Sequence, residues 1–379
     1  MKTKLFSLLF ALLTLAVSAA SAEIDLTPYE VPNSTVAQFL VIQPGLFLVL
    51  NDSGMNNGAV PDSVVLLQDG QTLFSKEFDE NGEWQLFSIF QMNENCYGYI
   101  LAERGDLTLG RQFVRLTSAG PSLLLQLPDH CHSIQLMDFG VAFLYETDTV
   151  HALRLLDWQG HLKVDYALNP NMRYTLFGST LLADGTLRVA SLDERTDTPL
   201  AITGTDGELL VRTFSASGQL LSEAPVQSPY LGTLSDTVAF DRSGGLVACI
   251  SSNDTYSSER IIRMDAHNNV LYERTLSASK TIVHISAAQP SPDGSVTLYG
   301  TAMANSRGLF TVFKLDLDAQ GNVTTLDIRD FTTRASFYYA LCLDAQGNAY
   351  AVAEKLNTPF AVVPFEVLPA HDDPGLTLE

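Results

Sequence analysis

Short runs of Val, Leu, Ile, Phe, Tyr and Thr recur along nearly the whole chain, each bounded by Gly, Asp, Asn or Pro. Beyond the first 22 residues, no long stretch places apolar residues at i, i+3, i+4 and i+7. That pattern predicts strands joined by tight turns, with almost no helix. The turns fall into two alternating series. One series reads "LLQDGQTLFSKEF", "LTSAGPSLLLQL", "LLDWQGHLKVDYAL", "TFSASGQLLSEAP", "RMDAHNNVLYERTL" and "LDLDAQGNVTTLDI", and its second strand is the more polar. The other reads "LMDFGVAFLYE", "LLADGTLRVAS", "FDRSGGLVACIS", "PSPDGSVTLYG" and "LDAQGNAYAVAE", and leads into an apolar strand of small residues.

Two alternating hairpin types predict antiparallel sheets of four strands, a to d, with the first series at the c–d turns and the second at the a–b turns. The a strands are expected to begin near Val36, Leu86, His132, Tyr174, Leu234, Thr281 and Ala335. Their spacing of about 50 residues is that of propeller blades. A sheet apolar on both faces cannot bury them alone, whereas stacked neighbours can. Small residues of the b strands (Ala248, Gly300, Ala302, Ala351, Ala353) permit close approach. The last blade supplies only three strands, and "EIDLTPYEVP" before the first a strand offers the fourth. The expected fold is therefore all-β: a seven-bladed β-propeller of four-stranded blades, closed by its N-terminal strand, which leaves no open edge at the join. Within it, the identical hexapeptides "LDAQGN" at 317–322 and 343–348 are the c–d turn of blade six and the a–b turn of blade seven. A type I turn with Gly in the left-handed position suits both.

The alternation of "DxxG"-type turns with apolar strands resembles the bacterial exported β-propeller superfamily in its generic seven-bladed form. No subfamily mark accompanies it. "LLDWQG" is not the Trp-Asp end of a WD40 blade, "SPDGSVTLY" misplaces the Gly and lacks the Trp of a sialidase Asp box, and two Trp in all exclude the repeated Trp docking motif of quinone-dependent propellers.

The first residues alter the picture. Lys2 and Lys4, an apolar run from Leu5 to Val17 and the small residues Ala20-Ser21-Ala22 make a Sec-type signal peptide over 1–22. The run is too short to span a membrane comfortably. The propeller is assigned to 23–368, and 369–379 ("PAHDDPGLTLE") to a C-terminal tail or truncated linker. The formal net charge is −21, and loss of the two leader lysines makes it more negative still. Such a surface repels nucleic acid and anionic lipid. Cys96, Cys249 and Cys342 lie in apolar strand patterns and read as buried free thiols, while Cys131 lies in a polar stretch. Cys96 and Cys131 fall on opposite faces, too far apart for a bridge.

Three features bear on chemistry. "LPDHCHSI" holds His130 and His132, which can converge while Cys131 points away; no second Cys/His cluster completes four zinc ligands. "DLDAQGNVTTLD" places Asp316, Asp318 and Asp327 at positions 1, 3 and 12 of a calcium loop, but Gln320 departs from it and the hairpin reading is preferred, with calcium the one weak cofactor candidate. Finally, Trp84, His130, His132, Arg173, Tyr174, Tyr230, Arg334 and Tyr338 lie where the chain enters innermost strands, on the face that also carries the polar b–c loops. A funnel of such side chains suits a sugar or an acidic peptide. Motifs for a Gly-x-Ser-x-Gly nucleophile, a His-Glu-x-x-His metal site and a phosphate loop are absent. The leading expectation is an exported, monomeric, non-catalytic module that binds carbohydrate, peptide or a cell-surface protein. The alternatives are an enzyme acting on polysaccharide or lactone at the channel mouth, whose acid pair leaves no local signature, and the N-terminal module of a larger transport-associated surface protein.

Overall fold

The fold was analysed in a computed structural model that describes residues 30–31, 36–51, 63–79, 83–103, 110–137, 139–195, 207–227, 236–251, 258–278, 281–304, 309–330, 339–353, 360–371 and 375–379. The leader expected over 1–22 lies outside them. Seven antiparallel sheets follow one another along the chain. Blade one is Val36–Gln43, Leu46–Asn51, Ser63–Gln68 and Gln71–Glu77; blade two is Trp84–Asn93, Cys96–Glu103, Arg111–Thr117 and Gly120–Leu127. Blade three is Cys131–Met137, Gly140–Glu146, His151–Asp157 and Leu162–Ala167; blade four is Met172–Leu181, Leu187–Arg195, Glu208–Phe214 and Leu220–Gln227. Thr237–Phe240, Leu246–Ser251, Ser258–Met264 and Val270–Ala278 make blade five, and Thr281–Pro290, Val296–Ala304, Leu309–Leu317 and Val323–Asp330 make blade six. Blade seven takes Tyr339–Leu343, Ala349–Ala353 and Phe360–Pro364, and its outermost strand is the N-terminal Glu30–Val31, paired with Phe360 and Ala361. The protein is an all-β, seven-bladed β-propeller.

The core is distributed. Among the described residues there are seven hydrophobic clusters, and each fills the gap between two consecutive blades. One of them, built on Val41, Val49, Leu67, Tyr350 and Val362, joins blade seven to blade one and closes the ring. The b strands are buried on both sides (Leu246–Ser251 throughout), whereas the outer d strand Gln71–Glu77 is almost wholly exposed. That gradient explains why one hairpin series is apolar in its second strand and the other polar.

The innermost strands are also tied to each other. Bulges interrupt them at Leu86/Ser88, Leu176/Gly178 and Ile285/Ala287. Backbone groups at or beside each bulge are taken up by the preceding blade. The Ile89 N–H donates to Gln38 Oε1 at 3.0 Å; the Leu176 N–H donates to Ser133 Oγ at 2.7 Å, and its carbonyl accepts from Gln135 Nε2 at 2.9 Å. The Ile285 carbonyl accepts from Thr237 Oγ1 at 2.9 Å, and its N–H donates to Glu259 Oε1 at 3.1 Å.

The two hexapeptide copies adopt one geometry. Asp318 Oδ1 accepts from the N–H groups of Gln320 and Asn322 at 2.9 and 2.8 Å, and Asp344 Oδ1 from those of Gln346 and Asn348 at 2.9 and 2.8 Å. Gly321 and Gly347 take the left-handed conformation (φ 77° and 86°). Burial separates them: Asp344 is buried and also accepts from the Tyr350 hydroxyl at 3.4 Å, whereas Asp318 is only half-buried.

The described parts of 369–379 depart from a free tail. Just before it, Leu368 offers its carbonyl to Arg329 Nη1 of blade six at 2.9 Å; the His371 N–H donates to Ile328 O at 2.9 Å, and Leu376–Leu378 pairs antiparallel with Leu276–Ala278 as a fifth strand of blade five. Leu376 joins the core between blades five and six. Its apolar residues, read as linker for want of a partner in sequence, are those of an edge strand.

Asp344→Ala is expected to cost about 1–3 kcal/mol by leaving two turn N–H groups and a buried hydroxyl without an acceptor, and Asp318→Ala less, in paired denaturant titrations; equal losses would contradict the assignment to burial. Leu376→Ala is expected to cost about 2–5 kcal/mol in the same titration, against almost nothing for a free tail. The turn carboxylates also set an acid limit. The Asn322 amide and backbone N–H lower the pKa of Asp318, the Thr186 N–H that of Asp184 and the Ser295 hydroxyl that of Asp293 below the ordinary 3.8. Depressed carboxylates stabilise the fold above their unfolded pKa and lose that effect as pH falls through the folded one, so the melting temperature is expected to drop as pH is lowered through and below 3.8, a decline that replacing the three aspartates by Asn should blunt.

Candidate functional site

Alternation of up and down strands sends the b–c hairpins and the d-to-a crossings to one face of the ring, here the loop face, and the a–b and c–d turns to the other. His130 precedes the first strand of blade three on the loop face and holds φ at 65°, which turns the chain sharply into Cys131. The carbonyl of His130 accepts from the Glu146 N–H at 3.0 Å, locking this crossing to the end of strand b. Cys131 is fully buried, against the expectation of a polar loop, because it packs with Phe113, Phe143 and Val141 between blades two and three. Burial pushes its thiol up to about 12, against the opposing pull of Arg111 and Arg154. All four cysteines are free, and Cys96 and Cys249 are buried as expected, while Cys342 is only half-buried.

His132 then emerges toward solvent. Its Nε2 lies 3.3 Å from Glu146 Oε2, and His151 Nδ1 lies 3.4 Å from Glu146 Oε1. One carboxylate thus bridges two imidazoles, one on each oxygen. The pairing is dictated by the sheet, since Glu146 and His151 face each other across the b–c hairpin. His130 stacks edge-on against Tyr145, whose other neighbour is the Arg154 guanidinium, 3.9 Å from the ring centre. Burial lowers the His132 pKa from 6.5, opposed by the Glu146 charge and reinforced by His151.

The two partners of the His132–Glu146 contact line neighbouring cavities. Glu146 lines one of about 710 Å³, with His130, Thr147, Asp148, Thr149 and His151. His132 lines another of about 420 Å³ between blades two and three, with Phe87, Arg111 and Ser133 among others. Phe87 is 44 % exposed, with the Arg111 guanidinium 4.8 Å from its ring centre. Together they offer an aromatic edge, hydroxyls, imidazoles and one shared carboxylate.

The other expected residues distribute differently. Trp84 opens the first strand of blade two opposite Glu103 and packs half-buried against the core between blades one and two. Tyr174 packs against the core between blades three and four, accepts the Asn169 N–H at 3.0 Å and lies 5.8 Å from the Arg212 guanidinium. Arg173 sits beside it, opposite Glu194 on the neighbouring strand. Tyr230, Arg334 and Tyr338 lie outside the described residues. Asp316, Asp318 and Asp327 have separate partners: Asp316 accepts from Thr297 Oγ1 at 2.7 Å, Asp318 holds its own turn, and Asp327 pairs with Arg329 at 2.7 Å. Among the described residues, no three His, Cys, Asp or Glu side chains are arranged to hold a metal ion, and no helix is long and apolar enough to cross a membrane. Glu146, His151, Phe87 and Arg111 were not singled out by sequence; the one available signal was Glu and His flanking the four residues "TDTV", a spacing that a hairpin turns into a contact.

No family model matches the chain, and no curated protein matches it. Solved structures do. Prolyl oligopeptidase B from Galerina marginata superimposes with a TM-score of 0.51 at 9% identity, over 91% of this chain and 51% of that one. Hydrazine synthase of Kuenenia stuttgartiensis gives 0.47 at 9% identity over 73% and 76%, and a subtype N10 neuraminidase-like protein of A/little yellow-shouldered bat/Guatemala/060/2010 gives 0.43 at 7% over 70% and 90%. The likeness is one of fold alone. This chain spans about half the length of the peptidase.

The bridging carboxylate has a measurable consequence. Because the Glu146 charge raises the His132 pKa against burial, Glu146→Gln should move it further below 6.5. An NMR titration of the imidazole resonances measures this, and an unchanged or higher value would remove the contact from the site.

Proposed function

We propose that the protein is an exported binding module that takes a neutral carbohydrate on its loop face, at the junction of blades two and three. The supporting observation is the pair of adjoining cavities, which bring an exposed aromatic ring together with imidazoles, hydroxyls and a carboxylate. Sugars are recognised by that combination: apolar C–H faces against aromatic rings, and hydroxyls against convergent donors and acceptors. The charge agrees, since a net charge of −21 disfavours anionic ligands at long range. Export rests on the leader over 1–22, and the reading needs only one copy of the chain per ligand.

The test is a glycan and peptide array probed with the secreted protein, followed by titration of the best ligand. A neutral oligosaccharide is expected, with affinity weakened at least about tenfold, or 1.4 kcal/mol, in a Phe87→Ala/His132→Ala double variant, and unaltered by His161→Ala on the turn face. Full affinity in the double variant would sink the assignment, and selection of peptides alone would replace carbohydrate by a protein partner.

A further inference from the structure

The junction of blades five and six carries a second group of polar side chains on the loop face. Glu259, the second residue of strand c in blade five, is 1% exposed. Its Oε1 accepts from the Ile285 N–H and His284 Nδ1, each at 3.1 Å, and shares the single Ser251 hydroxyl proton, at 3.3 Å, with a second carboxylate. Its Oε2 is buried and has no hydrogen-bond partner among the described residues. Ser251 Oγ lies closer, at 2.9 Å, to Asp236 Oδ1, so one hydroxyl sits between two buried carboxylates. The His284 side chain is one-third exposed. With Nδ1 turned to Glu259, Nε2 is the ring nitrogen that this carboxylate does not engage.

The fold does not require this arrangement. Taking up the N–H of an innermost strand is done at two other junctions by neutral groups, Gln38 Oε1 for Ile89 and Ser133 Oγ for Leu176. A buried carboxylate with an orphaned oxygen costs several kcal/mol where a neutral amide would serve, by the general penalty for burying charge. What Glu259 adds over a glutamine is a negative charge against an imidazole. That charge favours the His284 tautomer with its proton on Nδ1, leaves the lone pair on Nε2, and stabilises the imidazolium when a proton arrives.

We propose that His284 is a general base and Glu259 its positioning residue, in a site that hydrolyses neutral, activated acyl esters. His284 Nε2 takes a proton from water as the water oxygen bonds to the acyl carbon. The bond from that carbon to the alcohol oxygen then breaks, and the imidazolium returns the proton to the leaving oxygen, giving an acid and an alcohol. The magnitude selects the substrate class. One positioned base contributes roughly 10²–10⁴-fold, enough for an activated ester, whereas stable amides and glycosides need roughly 10⁶-fold or more. Asp236 and Glu259 turn anionic substrates away. Burial raises the Glu259 pKa, an effect His284 opposes, and the Glu259 hydrogen bond raises that of His284, with the Asp236 charge adding in the same direction.

The test is the hydrolysis of p-nitrophenyl acetate by the purified full chain, followed against pH. The expected second-order rate constant exceeds that of free imidazole by about 10²-fold. His284→Gln should lower it at least about tenfold, and His161→Gln should leave it unchanged. Glu259→Gln should lower the rate and shift the midpoint of the pH profile downward, because the carboxylate that raises the imidazole pKa is gone; a purely structural Glu259 would leave the midpoint in place. Should Glu259→Gln fail to fold, His284→Gln, at a partly exposed position, carries the decision. A wild-type rate no greater than that of imidazole, or one indifferent to His284→Gln, overturns the proposal, and neither outcome bears on the carbohydrate site at blades two and three.

Discussion

Each blade is apolar on both faces, and the architecture follows from the need to cover the two at once. A single sheet in water would leave both faces exposed, and a two-sheet sandwich would cover only one face of each. A closed ring gives every sheet two neighbours, and the seven clusters lying strictly between consecutive blades are the physical result. Closure then becomes the weak point. Chain ends are used to reinforce it: Glu30–Val31 completes blade seven, and the C-terminal segment straps blades seven, six and five along the rim.

The same constraint decides where chemistry can sit. The spaces between blades are filled with aliphatic and aromatic side chains, and the turn face is made of short hairpins whose carboxylates accept their own backbone N–H groups. Polar side chains with spare hydrogen-bonding capacity remain where the packed wedge opens, at the loop-face ends of the junctions. Both constellations described above sit there. At blades two and three the carboxylate is itself half-exposed, and Glu146 is shared between a partly exposed His132 and a largely buried His151. At blades five and six Glu259 is buried against one partly exposed imidazole. The difference in burial separates a surface suited to holding a hydroxylated ligand from one suited to moving a proton.

Arginines serve the scaffold. Arg263 is buried, pairs with Asp241 of its own blade and donates to Ser291 O of the next at 2.7 Å; Arg188 reaches Gly244 O and Asn268 Oδ1 in the neighbouring blade. These contacts tie the a–b turn of one blade to the flank of another. Arg188 and Arg263 are thus committed to holding turns in register, whereas Arg111 lines the opening at blades two and three beside Phe87.

The strand period, the two hairpin series and the deficit of one strand in the last blade are local properties, and the sequence alone determined the blade number, the closing strand and the place of both "LDAQGN" turns. Side-chain alternation fixes a strand, and Asp with Gly three residues on fixes a turn, wherever in the chain they occur. The sites are of another kind. Glu259 and His284 are 25 residues apart in different blades, and nothing near either residue marks the partner. His130 and His132 were legible as a polar pair, but the carboxylate partner of His132, Glu146, became visible only once the b–c hairpin set it opposite His151. Likewise "GLTLE" carries strand character, yet which edge it covers depends on where the rim of blade five passes. Local pattern encodes each blade, and tertiary structure decided which residues meet between blades, because those contacts depend on the angle and spacing at which neighbouring sheets pack.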